Sequence, residues 1–117
     1  MAQAGRFEGD IGIVTGAASG IGRATALRYA REGGRVAALD REPSGLAATC
    51  DAIRAEGGTA LPIVVDLLDA AAIDAAVQRV LRELGTPALL ANIAGFIDTA
   101  HGTGLDQLDL ARWNRVL

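Results

Sequence analysis

Four short apolar runs alternate with stretches of helical character along this chain, and that alternation restricts its fold more than any other feature. The runs lie near residues 10 to 15, 35 to 40, 60 to 65 and 87 to 92. Each is short and apolar, as a strand covered on both faces must be. Strands that alternate with helices read as parallel strands joined by right-handed crossovers. The intervening segments carry their own stop signals. A first helix is expected from about residue 20 to 32, ending at Gly33 and Gly34; a second is expected to start after Pro43 with Ser44 as its N-cap and to end at Gly57 and Gly58. A third, expected over residues 69 to 84, places Ile73, Val77, Val80, Leu81 and Leu84 on one face before Gly85 and Pro87 close it. That stripe reads as core.

The turn between the first run and the first helix is Thr15-Gly16-Ala17-Ala18-Ser19-Gly20-Ile21-Gly22. A strand that turns at once into a helix needs residues that accept positive φ, and a phosphate approaching the helix N-terminus needs backbone with no Cβ in its way. The spacing is G-x-x-x-G-x-G rather than the G-x-G-x-x-G dinucleotide fingerprint, so mechanism and context match while the letters differ. Three glycines in this arrangement also suit a bare turn without a ligand. The second apolar run, however, ends in Asp40, at the distance past the glycines where a dinucleotide fold places its ribose acid. A carboxylate there accepts hydrogen bonds from both adenosine ribose hydroxyls, each of roughly 1.5 to 3 kcal/mol. It also repels a 2′-phosphate, by about 4 kcal/mol per pair of unit charges 4 Å apart at an effective dielectric near 20. Arg41 acts the other way, because its guanidinium could swing to a 2′-phosphate. NAD is therefore the expected cofactor, with NADP the lesser one.

At this point the chain resembles the short-chain dehydrogenase/reductase family. Its members carry a T-G-x-x-x-G-x-G loop, an acid after the second strand in NAD users and an N-A-G-type motif after the fourth. Here the last is Asn92-Ile93-Ala94-Gly95, following Ala88-Leu89-Leu90-Ala91, and Val64-Val65-Asp66-Leu67 matches the pair on the adenine side after the third strand. The resemblance runs from residue 9 to 117, with Ile93 where a second asparagine is commoner. It implies an α/β fold, a Rossmann-like doubly wound parallel sheet of about four strands in order 3-2-1-4. Residues 1 to 117 would form a single, incomplete NAD(P)-binding domain. Gly16, Ser19, Gly20, Ile21 and Gly22 would meet the pyrophosphate, Asp40 and Arg41 the adenosine ribose, Asp66 and Leu67 the adenine, and Asn92, Ala94 and Gly95 the nicotinamide side. The implied partners are the dinucleotide, a small carbonyl or alcohol substrate in the complete enzyme, and a second copy of the chain in a homo-oligomer.

The family's reducing chemistry rests on Tyr-x-x-x-Lys, a serine upstream of it, and an asparagine just beyond the helix at which this sequence stops. These groups are missing. All 11 basic residues are arginines, and the one tyrosine, Tyr29, falls in the first helix and reads as surface or core. A general acid alone contributes about 10²- to 10⁴-fold, so these 117 residues alone are not expected to transfer hydride. The alternative reading is a non-catalytic NAD-binding module or truncated pseudoenzyme. Ending after the fourth strand would leave Ala88 to Ala91 as an apolar edge, from which marginal stability and self-association are expected.

Composition excludes several other classes. Half the residues are hydrophobic and only four are aromatic, which suits small side chains packed tightly between helices and sheet. A net charge of −3 with scattered arginines gives no nucleic-acid surface. No apolar run reaches a membrane span and the first residues lack a signal-peptide core, so a cytoplasmic protein is expected. Cys50, at helical spacing between Leu46 and Ile53, reads as a buried structural thiol. The segment from 96 to 104 reads as a variable loop with His101 solvated, and Leu110, Trp113 and Leu117 as a packing face.

Overall fold

The computed structural model describes residues 5–95 and 109–116. Strand β1 (Ile11–Thr15) leads into helix α1 (Gly20–Arg31), strand β2 (Arg35–Asp40), helix α2 (Pro43–Ala55) and strand β3 (Thr59–Val64). Helix α3 (Ala70–Glu83), strand β4 (Leu89–Ala91) and helix α4 (Leu110–Val116) follow. The four strands are all parallel, in the order β3-β2-β1-β4. Both the expected architecture and the expected strand order are met. Pro62 falls inside β3, where its missing N–H is tolerated because β3 is an edge.

Period-two alternation divides the strand side chains between two cores. Val14, Val36 and Ala38 face α1 and α2, where they pack with Ala26, Leu46, Cys50 and Ile53. Ile11, Ile13, Ala37, Leu39, Leu61 and Ile63 face α3, where they meet Ala76 and Val80. Both faces of β1 and β2 are thereby covered. Cys50 is fully buried, and burial pushes its thiol pKa up, so it is inert packing.

Tyr29 belongs to the core, at 4% exposure. Its ring lies where a Cβ on Gly12 or Gly34 would sit only 2.8 Å or 2.0 Å away, so those glycines make its space. Phe7 stacks on it, with ring centroids 4.7 Å apart.

Two expectations are corrected at helix boundaries and faces. Ser44 does not cap α2. The N-cap is Glu42, whose carboxylate accepts from the Ser44 and Gly45 amides, because Pro43 already has the fixed φ and missing donor suited to the first helical position. On α3, Val80 and Ala76 are buried, whereas Val77 and Leu81 remain 38% and 41% exposed. The buried line is thus narrower than the sequence stripe, because α3 lies over β1 to β3 with one edge of that stripe turned away. On α4, Leu110 and Trp113 are exposed on this single chain, at 72% and 47%. His101, the 96 to 104 loop and Leu117 lie outside the described residues.

Candidate functional site

From β1 the chain adds strands on one side of the sheet, through β2 to β3, and then crosses back to add β4 on the other side, so the strand order reverses between β1 and β4. Open parallel sheets form a crevice at the carboxyl ends of their strands at such a point. A cavity of about 580 Å³ opens there, a size suited to a small-molecule ligand.

The glycine turn forms its floor, through Gly16, Ser19, Gly20, Ile21 and Gly22. The three glycines serve different ends. Gly16 has φ +68° and passes so close to the β4 loop that a Cβ would lie 2.9 Å from Ala94 Cα. Gly20 has φ +54° and nothing within 4 Å of where its Cβ would be. Gly22 admits the turn itself, since a Cβ there would fall 1.9 Å from the Gly16 carbonyl oxygen. Its lack of a side chain therefore seats the loop on α1, which is a different role from clearing space for a ligand. The Ser19 side chain, at the N-cap of α1, makes no capping hydrogen bond. First-turn amides have no partner within their own helix, and with the helix dipole they favour an anion.

Asp40 and Arg41, at the end of β2, form one wall with Leu39. The Asp40 carboxylate accepts from the Ala18 amide at 2.9 Å and from the Glu42 amide at 3.0 Å. It therefore ties the glycine turn to β2, in addition to facing the cavity. A carboxylate has about four acceptor positions, so two amides do not exhaust it. Asp66 and Leu67, with Val65 and Leu68, form the wall beyond β3. Asp66 also closes its own turn by accepting from the Leu68 amide at 2.9 Å.

Ala94 and Gly95 line the opposite wall, and Ile93 joins them. Asn92 is exposed and is not part of the wall. Thr15 sets this loop in place. Its hydroxyl accepts from the Ile93 and Ala94 amides at 3.0 Å and 3.1 Å and lies 3.4 Å from the Ala91 carbonyl, so the end of β1 grips the end of β4. Thr15 stands in the glycine motif, but nothing local in the sequence marks this grip on the β4 loop. Asn114 on α4 also reaches the cavity and carries no local pattern to mark it.

A second hollow lies at the other end of the sheet, bordered by Arg28, Arg31, Arg35, Glu8 and Glu56. Its arginines are engaged: Arg28 with Glu32, Arg31 with Glu56, and Arg35 with the Leu84 carbonyl. Among the described residues, no helix is long and apolar enough to cross a membrane, and no cluster of three or more His, Cys, Asp or Glu could hold a metal ion.

A parallel sheet in this order, with a glycine turn and an acid at its switch point, defines a Rossmann-type α/β protein. The chain belongs to the short-chain dehydrogenase family, whose sequence profile matches residues 10–117. It is 41% identical over 91 residues to 2,3-dihydro-2,3-dihydroxybenzoate dehydrogenase of Bacillus subtilis, an alignment covering 78% of this chain and 35% of that enzyme. Among solved structures it resembles a metagenomic short-chain oxidoreductase in complex with NADP, with TM-score 0.85 and 34% identity over 94% of this chain and 49% of that one. Carveol dehydrogenase from Mycobacterium avium in complex with NAD is similar too, with TM-score 0.84 and 28% identity over 96% of this chain and 44% of that one. The chain thus spans about a third of the Bacillus enzyme and under half of either structure.

Proposed function

We propose that these residues form the dinucleotide-binding part of an oxidoreductase that moves hydride between a nicotinamide and a carbonyl or alcohol carbon. The observation that carries this reading is the pairing, at one switch-point cavity, of an uncapped helix N-terminus with the Asp40 carboxylate. These residues fit a dinucleotide. The first-turn amides of α1 would donate to a diphosphate, and Gly20 keeps the approach clear of a Cβ. Asp40 accepts from the ribose hydroxyls, Asp66 and Leu67 border the adenine, and Ala94 and Gly95 border the nicotinamide half. When bound, the cofactor supplies or receives the hydride at its nicotinamide ring.

NAD is favoured over NADP because the Asp40 charge opposes a 2′-phosphate, and the Ala18 and Glu42 amides hold that charge in place. Arg41 beside it moderates the preference. The two structural relatives, one with NADP and one with NAD, leave the choice to this pair of residues. The Tyr-x-x-x-Lys pair that the family resemblance would assign to moving the substrate proton has no counterpart in these 117 residues, since they hold no lysine and Tyr29 is in the core. By this reading residues 1 to 117 are one incomplete NAD(P)-binding domain of a cytoplasmic, homo-oligomeric protein. A non-catalytic NAD-binding module is the second reading, favoured by the same absence of lysine.

Calorimetric titration with NAD and NADP tests the proposal. NAD should bind roughly tenfold or more tightly than NADP, and Asp40→Asn should narrow that gap by weakening NAD and admitting NADP. Equal affinities in the unaltered protein would defeat the NAD preference, and uptake of neither would defeat the dinucleotide reading. An NADH oxidation assay on the full-length protein separates enzyme from module.

A further inference from the structure

Ala17 and Ala18 form the buried bend of the glycine turn, at 0% and 4% exposure, and the protein holds all four of their backbone polar groups. The amides go to the Leu39 carbonyl at 3.1 Å and to Asp40 Oδ2 at 2.9 Å. The carbonyls go to two side chains from different helices. The Thr49 hydroxyl of α2 donates to the Ala17 oxygen at 2.8 Å, and the Arg23 Nη2 of α1 donates to the Ala18 oxygen. Arg23 Nε also donates to the Thr49 hydroxyl at 3.0 Å, so the two side chains form one connected unit.

We propose that Arg23 and Thr49 are positioning residues, a clamp that fixes the glycine turn in the form that binds the diphosphate. The proposal rests on the dinucleotide reading above. Its geometry follows from peptide planarity: in a trans peptide the C=O and the following N–H point in opposite directions. Drawing the Ala17 carbonyl toward Thr49 turns the Ala18 N–H toward Asp40. Drawing the Ala18 carbonyl toward Arg23 turns the Ser19 N–H away from the clamp, and Ser19 lines the cavity. Two side chains behind the turn thereby orient amides at its front.

Neither residue has a simple explanation on its own helix. An arginine in the first turn of a helix opposes the macrodipole, so Arg23 gains nothing there from helix electrostatics. Thr49 is fully buried, at 0% exposure, and a buried hydroxyl needs partners to offset its desolvation. Its own helix offers only the Gly45 carbonyl, at 3.1 Å, whereas the turn offers a shorter bond.

The test is calorimetric titration of the full-length protein and its variants with NAD, ADP and adenosine, beside thermal melts. Thr49→Val and Arg23→Met should each weaken NAD and ADP roughly tenfold or more while leaving adenosine, which has no phosphate, within about twofold. Thr49→Ser, which keeps the hydroxyl, should restore NAD affinity to within about threefold of the unaltered protein. Arg31→Met serves as the control, because it cuts the 2.8 Å tie from α1 to Glu56 at the far end of α2. It should lower the melting temperature without changing NAD affinity. Should Thr49→Val fail to fold, Arg23→Met carries the same comparison. Undiminished binding by Thr49→Val or Arg23→Met, equal loss for adenosine, or an equal loss in Arg31→Met would overturn the clamp. A protein that takes up neither NAD nor ADP defeats the dinucleotide reading itself, and the clamp with it.

Discussion

Glycine content means little until each glycine's surroundings are known. Gly20 needs its positive φ, while Gly22 needs the contact distance between α1 and the turn. The two predict different losses. Gly20→Ala meets open space and should cost about 1 to 2 kcal/mol, the penalty for a left-handed alanine. Gly22→Ala drives a methyl into the Gly16 carbonyl and should cost at least as much as other overpacking, about 1 to 3 kcal/mol, because the turn must leave its seat. Urea denaturation measures both, with NAD affinity as the companion reading. A Gly22→Ala protein as stable as the unaltered one would show that the turn moves freely over α1. The assignment of this glycine to seating the loop would then be wrong.

Elements in this fold are held mainly by what they cross. Helix α3 carries β3 across to β4 and so creates the switch point at which the cavity opens. Its N-cap, Asp69, accepts from the Ala72 amide at 3.1 Å, and its buried line is Ala76 and Val80. Removing the cap in Asp69→Ala should cost about 1 kcal/mol, and Asp69→Ser should recover most of that. The urea midpoint reports it, with the slope unchanged because the surface exposed on unfolding is the same. Equal midpoints for all three proteins would mean that α3 is fixed by its packing and not by its end. Val77 and Leu81 sit partly exposed on the same helix, so burial of its apolar positions is incomplete among the described residues.

At the scale of the whole molecule, charge pairs link distant parts of the chain. Glu32, at the end of α1, receives both guanidinium bonds of Arg6 at 2.7 Å, and Arg28 lies 3.4 Å away. These bonds, led by the Arg6 hydrogen bond, hold the Glu32 carboxyl below the usual carboxylate range. Glu42 is held low mainly by the Gly45 amide and the Ser44 hydroxyl, and Glu56 mainly by Arg31. A carboxyl with a lower pKa in the folded state adds stability that is present above its unfolded value and disappears as pH falls through its folded value. Stability should therefore be flat near neutrality and decline once pH drops below about 4.3, the ordinary glutamate value. Glu32→Gln should make that decline shallower, since one of the three linked protons is gone. Denaturation curves at pH 7, 5, 4 and 3 measure the slope, and a slope unaltered by Glu32→Gln would remove Glu32 from the account.

The sequence by itself determined the succession of strands and helices, the glycine turn and the acid at the end of β2, because these depend on signals within a few residues. Strand alternation, helical stops at Gly33 and Gly57 and the positive φ of Gly16 and Gly20 are properties of short stretches. Tertiary structure decided which side chains hold those stretches together. Thr15 meets the β4 loop across 78 residues, Asp40 meets Ala18 across 22, and Arg23 meets Thr49 across 26. Periodicity shows that a residue faces a core but not which carbonyl lies opposite it there. The same limit explains why Glu42 rather than Ser44 caps α2, and why Val77 and Leu81 are turned outward despite fitting the stripe. Parallel pairing brings residues distant in the chain to one edge of the sheet, and only that pairing turns a glycine turn, an acid and a short loop into the walls of one cavity.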